Sequence, residues 1–310
     1  MYMSSFTDEG SDWLETSAGP TKKTSDEPKT AASSFQSLVS RIDTLPPLSD
    51  SAQKILSLYA KDDDIDIRKL ARLIESDTIL TANILAMIND PKMGFNNKIT
   101  SISQAITLFG TKIVKGFVLS FSMKEHLRPD LSTYGISNAK FNDMCHLQSA
   151  LLFQWYMGVD IKRAQTLVPL ALIMEMGKVI FAKEMAESDY GHLFTEEIYY
   201  AKEMQKVEEK YSDTTSYYIG GLLFEHWNFS YRYINLMKSL DFKEDLDVDQ
   251  KDLDILNVIR RAINIKGFLT KDSLNDACEL LRELEMDEAG FMKSALRIKN
   301  AYEDNQRRKA

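Results

Sequence analysis

Few side chains of this sequence could do acid–base or metal chemistry. Glu175 and Lys178 stand inside Thr166–Lys183, TLVPLALIMEMGKVIFAK, the most apolar stretch of the chain. A carboxylate in such a stretch must find a partner, become protonated or reach water. Because side chains three positions apart are neighbours on a helix, Glu175 and Lys178 can form an ion pair. The four histidines are His126, His146, His192 and His226.

The spacing of the nucleophiles and metal ligands does not match familiar active sites. None of the four histidines precedes an aspartate or belongs to a close ligand pair such as HExxH. Cys145 precedes His146, but adjacent side chains on a helix diverge, so they cannot form a Cys–His nucleophile. The sequence has no GxSxG, P-loop or GxGxxG motif. We interpret Gly220-Gly221 as a close contact between helices rather than a phosphate-binding loop.

The stretch that carries Glu175 is itself predicted to be the central helix of the core. Its apolar residues leave almost no polar face, and a helix that is apolar on every side is a buried helix. Pro169 suits the first turn of this helix, where its missing N–H costs nothing. Residues 33–127 show helical spacing of apolar residues without convincing strand-like alternation. The sequence therefore predicts an all-α fold with many helices.

Polar residues indicate where these helices begin and end. The residues placed to cap helices include Asp64 or Asp66, Asp77 and Ser101. In the second half, Glu187–Phe194 is predicted to be a loop and Ile198–Val207 a charged helix. Three amphipathic helices are predicted beyond the acidic linker Asp241–Asp249. The apolar positions of the first of them are Leu253, Leu256, Ile259 and Ile263.

We divide the chain into four segments. Residues 1–32 are rich in Ser, Thr, Asp, Glu and Lys and have little to bury, so we predict a disordered tail. Residues 33–127 are predicted to form an N-terminal helical half, and residues 128–245 a second helical half. Residues 246–310 are predicted to form a C-terminal helical extension.

Composition narrows the class of function. The 310 residues carry a formal charge of −8, which argues against a nucleic-acid partner. The two cysteines form no CxxC motif, as is typical of a reducing cytoplasm. The N-terminus lacks the basic and apolar regions of a secretory signal. The longest apolar run, Leu167–Met174, is far shorter than the ~18 residues of a membrane span. We therefore predict a cytoplasmic protein without a membrane segment.

Several motifs carry a resemblance to a known family. They are Leu45–Leu48 (LPPL), Leu73–Asp77 (LIESD), the Asn89 position and the pattern of Ile99–Gly110 (ITSISQAITLFG). Together they resemble the HDOD domain, a bacterial signalling module related to the HD metal phosphohydrolases. The similarity covers roughly residues 40–240. The family usually has proline where this chain has Ser49 and Thr78, but Ser and Thr also suit these helix starts.

The resemblance implies which positions carry metal ligands in the related enzymes. The family's His-Asp pair falls at Met174-Glu175, and a later histidine falls at Ser216. Methionine is a poor ligand for hard divalent cations, so the ligands are largely lost. We therefore predict no catalytic residue, no metal site and no cofactor. The candidates for a degenerate pocket are His146, Met174, Glu175, Lys178 and Ser216.

The predicted role of that pocket leaves alternatives open. His146 belongs either to a relic polar pocket with Glu175 and Lys178 or to an ordinary helical interface. We predict that Glu175 pairs with Lys178 or His146. The resemblance implies a non-catalytic signalling module that binds signalling proteins, with motility or gene expression as the controlled output. The alternatives are a residual phosphohydrolase or nucleotide-binding protein that uses the pocket, and a structural adaptor that acts through its tail and C-terminal helices.

Overall fold

The fold was obtained as a computed structural model, which describes residues 31–61, 65–95, 97–241 and 246–309. The predicted disordered tail, residues 1–32, lies outside the described residues, except that Ala31 and Ala32 begin the first helix. The described chain is all-α apart from one very short hairpin, as predicted. A continuous core runs through both predicted halves and the C-terminal extension.

Helices of the first half follow the predicted caps. Asp66, Asp77 and Ser101 each accept a hydrogen bond from a backbone N–H in the first turn of the helix that follows. A short 3-10 turn, Pro91–Met93, links the fourth and fifth helices. The helices are α1 (Ala31–Asp43), α2 (Asp50–Lys61), α3 (Ile67–Glu75), α4 (Thr78–Ile88), α5 (Ile102–Phe109) and α6 (Thr111–Leu127).

The second half contains seven helices and two 3-10 turns within the described residues. The 3-10 turns are Ser132–Tyr134 and Met174–Met176. The helices are α7 (Asn138–Tyr156), α8 (Ile161–Ile173), α9 (Gly177–Glu187), α10 (Gly191–Tyr200), α11 (Met204–Ser212), α12 (Ser216–His226) and α13 (Tyr231–Ser239).

Two boundaries in this half differ from the prediction. The predicted loop Glu187–Phe194 is shorter, because α10 already begins at Gly191 and buries Phe194 and Ile198 on one face. The predicted helix Ile198–Val207 is interrupted between α10 and α11. Lys266, far along the chain, donates hydrogen bonds to the carbonyl oxygens of Ile198 and Tyr199. These bonds satisfy backbone carbonyls at the C-terminal end of α10. Such a tertiary contact leaves no local pattern in the sequence.

The C-terminal region contains three helices, as predicted, and a two-residue hairpin. Ile263, predicted to continue the first of these helices, instead begins strand β1 and pairs with Phe268 of β2. The side chain of Asn264 accepts from Lys266 N and stabilises the turn between the strands. The elements are α14 (Gln250–Ala262), β1 (Ile263–Asn264), β2 (Gly267–Phe268), α15 (Lys271–Glu283) and α16 (Glu288–Lys309).

The apolar stretch Thr166–Lys183 is the centre of the core, as predicted. Every residue from 167 to 182 is buried. The prediction for Pro169 was wrong, because α8 begins eight residues earlier, behind the Asp160 cap, and Pro169 lies inside it. Gly116 of α6 makes room for the ring, since a Cβ there would lie 2.3 Å from the Pro169 Cβ. The helical segment Ile161–Glu187 is long and apolar enough to cross a bilayer, but 89% of its most apolar window is buried inside the protein.

A buried carboxylate fixes α14 against the second half. Asp252 is fully buried and pairs with Arg163 of α8 and Arg232 of α13. Arg163 also holds Asp249, immediately before α14, at 2.9 Å. A carboxylate without water needs such partners, because burying an unpaired charge is very costly. The two arginines therefore determine where α14 sits.

We predict that Asp252→Asn lowers the free energy of unfolding by about 2 kcal/mol, because Arg163 and Arg232 lose their shared buried partner, although Arg163 keeps Asp249. Urea unfolding followed by circular dichroism measures the change. The matched control is Asp276→Asn on α15, which breaks the exposed pair with Arg261 and should cost about 0.5 kcal/mol or less. Equal losses in both variants would contradict the anchoring role of Asp252.

Candidate functional site

The site begins with an unusually close contact between two helices. A Cβ at Gly177, the first residue of α9, would lie 1.8 Å from the carbonyl oxygen of Ser216, the first residue of α12. Gly220 lies one turn further along α12, and its position also faces Gly177. Gly221 faces α13 instead, where a Cβ would meet Lys238. The prediction that Gly220-Gly221 mediates helix contact is confirmed.

This contact brings a buried ion pair to the start of α12. The Lys178 Nζ lies 2.8 Å from the Glu175 Oε2, and both side chains are almost completely buried. Lys178 also donates to the Ser216 Oγ at 3.1 Å, and its Nζ lies 4.1 Å from the centroid of the Tyr217 ring. The predicted pairing of Glu175 with Lys178 is confirmed. The ammonium therefore links α9 to α12.

The other oxygen of Glu175 is bound by neutral donors. The Gln148 Nε2 of α7 donates to the Glu175 Oε1 at 2.8 Å, and the Tyr217 hydroxyl donates to the same atom at 2.9 Å. Burial raises the pKa of Glu175, but the Lys178 ammonium and the two donors lower it more, so the pKa is below its ordinary value. The carboxylate is therefore charged at neutral pH.

The pKa of Lys178 moves in the opposite direction. Burial lowers it, but attraction to Glu175, with contributions from Tyr217 and Glu208, raises it more, so the pKa is above its ordinary value. Both members of the pair are therefore ionised at neutral pH. An ion pair in this state is a fixed structural element rather than a general acid or base, which needs a pKa near the working pH.

A second layer of polar residues surrounds the pair. Glu208 of α11 accepts from the Ser216 N and the Tyr134 hydroxyl, each at 2.7 Å. Burial raises the pKa of Glu208, although Lys178 and these donors oppose the rise. Arg260 of α14 reaches the same place. It pairs with Asp241 at 2.5 Å, and its guanidinium carbon lies 4.8 Å from the centroid of the Tyr217 ring.

A cavity of about 370 Å³ opens beside this network. Tyr217, Lys178 and Glu208 line it, together with residues at the junction of α10 and α11 and residues of the C-terminal region. Its charged lining is balanced, with four basic and four acidic side chains. They are Lys178, Lys202, Arg260, Arg261, Glu203, Glu208, Asp241 and Asp276.

His146 lies outside the network. It lines a separate small cavity with Asp90, Lys92 and Ser149, and its Nε2 has no hydrogen-bond partner. Burial lowers the pKa of His146 well below its ordinary value, and the nearby Lys124 and Lys92 lower it further. Of the two alternatives for His146, the relic pocket with Glu175 and Lys178 is therefore not assembled. The structure brings together Glu175, Lys178 and Ser216 instead, while Met174 is fully buried.

Sequence reasoning missed six members of the network, which are Tyr134, Gln148, Glu208, Tyr217, Asp241 and Arg260. Only Tyr217 had a local signal, since it adjoins Ser216. Glu208 stands in a strongly charged helix where many carboxylates are equivalent in sequence. Arg260 lies in the C-terminal region, more than 80 residues after Lys178. The sequence around these residues does not distinguish them from solvent-exposed polar residues.

Comparison with known proteins agrees with this architecture. A model of the HDOD domain family matches residues 45–241, which is more than half of the chain. The chain therefore belongs to the HDOD domain family. No curated protein matches it.

Solved structures of low sequence identity share the fold. An HDOD domain protein of unknown function from Geobacter sulfurreducens is 17% identical, with a TM-score of 0.60 and coverage of 87% of this chain and 96% of that one. A virulence factor from Campylobacter jejuni is 23% identical, with a TM-score of 0.50 and coverage of 86% and 99%. A protein from Shewanella amazonensis, provisionally named a phosphohydrolase, is 13% identical, with a TM-score of 0.60 and coverage of 85% and 97%.

The residues at this site do not fit the metal of the related HD enzymes. Two of the histidine positions that the resemblance implies hold the Met174 thioether and the Ser216 hydroxyl, which are weak ligands for hard divalent cations. The remaining carboxylate, Glu175, is neutralised by an ammonium 2.8 Å away, which would repel a second cation. In the described chain, no three His, Cys, Asp or Glu side chains are grouped so that they could hold a metal ion.

We predict that His146 makes the fold acid-sensitive. Its pKa is lower in the folded state than in the unfolded state, so the unfolded state binds more protons as the pH falls through about 6.5. Stability from this group is therefore present above that pH and lost below it. His146→Gln should remove about 1 kcal/mol of the stability difference between pH 7.5 and 5.5.

Urea unfolding at the two pH values measures this difference, and the matched control is His192→Gln, because His192 is exposed. The control should retain the pH dependence of the original protein. An unchanged pH dependence in His146→Gln would contradict the argument.

Proposed function

We propose that this protein is a non-catalytic, cytoplasmic signalling module that acts by binding other proteins. The observation that carries the proposal is the position of Lys178. Its ammonium pairs with Glu175 and binds Ser216, at positions that the resemblance assigns to the metal ligands of the HD enzymes. An internal cation there provides the structural link between helices that a bound metal would provide.

The chemistry of hydrolysis supports the same conclusion. Metal-dependent phosphohydrolases use a metal ion to activate water and to bind phosphate oxygens. At this site, Glu175 accepts hydrogen bonds from Gln148 and Tyr217, as well as pairing with Lys178. The Glu175 carboxylate is therefore already engaged by three donors, and the lowered pKa of its carboxyl group makes it a weak general base.

Exposed aromatic side chains support a protein partner. Tyr199 and Tyr200 at the end of α10 are more than 70% exposed, and so is Tyr231 at the start of α13. Exposed tyrosines are frequent anchors in protein interfaces, because they offer a large apolar surface together with a hydroxyl group. The HDOD resemblance implies that the output is motility or gene expression. The cytoplasmic placement is supported by Cys145 and Cys278, which are buried and unpaired.

A second candidate function is nucleotide binding, with or without residual hydrolysis, in the cavity beside Lys178. Its support is the volume of about 370 Å³ together with Lys202 and Arg261 in its lining. The acidic side chains of the same lining oppose a polyphosphate, because they balance the basic ones. This balance is why we favour the non-catalytic proposal.

Metal analysis combined with a phosphodiesterase assay tests the proposal. Purified protein, incubated with Mn²⁺, Fe²⁺ or Mg²⁺ and then desalted, should retain no stoichiometric metal and should not hydrolyse bis(4-nitrophenyl) phosphate above background. Glu175→Gln is the matched variant, because it removes the one carboxylate at the former His-Asp position. Stoichiometric metal with turnover that Glu175→Gln abolishes would overturn the non-catalytic proposal.

A further inference from the structure

A second cleft, of about 290 Å³, lies where the first and second halves meet. Leu56 of α2 and Leu119 of α6 contribute apolar walls from the first half. Phe229, immediately before α13, contributes an apolar wall from the second half. The volume lies just below the range of about 300–1,000 Å³ that is typical of small-molecule sites.

All charged side chains in the described lining of this cleft are basic. Lys112 and Lys115 of α6 and Arg232 of α13 line it, and none of the described lining residues is a carboxylate. This differs from the balanced cavity beside Lys178 and from the whole chain, whose formal charge is −8. Arg232 is partly neutralised by Asp252, at 2.5 Å, but its side chain is about half exposed.

Two of these basic residues occupy positions that helices disfavour. Lys112 is the second residue of α6, and Arg232 is the second residue of α13. Helix N-termini carry partial positive charge, so cations in the first turn reduce stability and anions increase it. Neither helix has an acidic residue in its first turn, and neither has a side-chain cap. A bound anion would offset the positive charge of both side chains and the partial positive charge of both helix N-termini.

We propose that this cleft binds a small phosphorylated molecule, a phosphate monoester with an aromatic or apolar body. The phosphate would lie near Lys112, Lys115 and Arg232, where its oxygens can accept several charge-assisted hydrogen bonds. The body would contact the apolar walls. Because these walls come from both halves, an occupied cleft ties α2 and α6 to α13, so the ligand stabilises the present packing of the two halves.

Isothermal titration calorimetry of the full chain with phenyl phosphate tests the proposal. One saturable site is expected, with affinity that falls as salt rises, because ionic contacts are screened. Inorganic phosphate should bind more weakly, because it lacks the apolar body, and phenol should not bind measurably. Lys112→Gln with Lys115→Gln should weaken phenyl phosphate binding at least about tenfold, because it removes two charge-assisted contacts with the phosphate.

The matched control replaces two basic residues of the other cavity, Lys202→Gln with Arg261→Gln, and should bind phenyl phosphate like the original protein. Lys112→Gln alone, at an exposed position, provides a milder variant whose fold is checked by circular dichroism. Absence of saturable binding overturns the proposal, and so does binding that the Lys112 and Lys115 variants leave unchanged. Loss of binding in the control instead would place the anion beside Lys178, in favour of the nucleotide-binding candidate.

Discussion

The buried ion pair between Glu175 and Lys178 is the interaction on which the packing of the second half depends. Two charges taken out of water are tolerated only where each has a close partner and its remaining hydrogen bonds are made. Here the carboxylate is held from α7 by Gln148 and from α12 by Tyr217, and the ammonium reaches Ser216. The pair therefore positions three helices relative to one another, at a place where Gly177 allows backbones to approach closely.

The same interaction underlies our proposal that this HDOD domain does not act as a metal enzyme. A metal would bind several side chains from facing helices, and the Lys178 ammonium makes comparable links without an open coordination position. The polar residues around it support this arrangement, and the Arg260 guanidinium of the C-terminal region lies over the Tyr217 ring beside the pair. We propose that ligand recognition lies elsewhere, in the basic cleft at the junction of the two halves.

The sequence alone predicts those features of the fold that depend on neighbouring residues, such as helix caps and apolar faces. The caps Asp77 and Ser101 and the all-apolar stretch around Glu175 follow from helix chemistry, and the pairing with Lys178 follows from the three-residue spacing. Contacts between distant segments were not predictable. Pro169 lies inside α8 because Gly116 accommodates it, and the network around the ion pair draws on residues that resemble solvated ones in sequence. His146 is the candidate of α7 from sequence and Gln148 is not, yet Gln148 is the one of the two that contacts Glu175.

A double-mutant cycle on the ion pair tests the central claim most directly. Urea unfolding would compare Glu175→Gln, Lys178→Met and the double variant with the original protein. Each single change should lower the free energy of unfolding by about 3 kcal/mol or more, because it leaves a buried charge unpaired. The loss in the double variant should be at least about 2 kcal/mol smaller than the sum of the two single losses. Single losses below about 1 kcal/mol that simply add would contradict the view that this pair holds the site together.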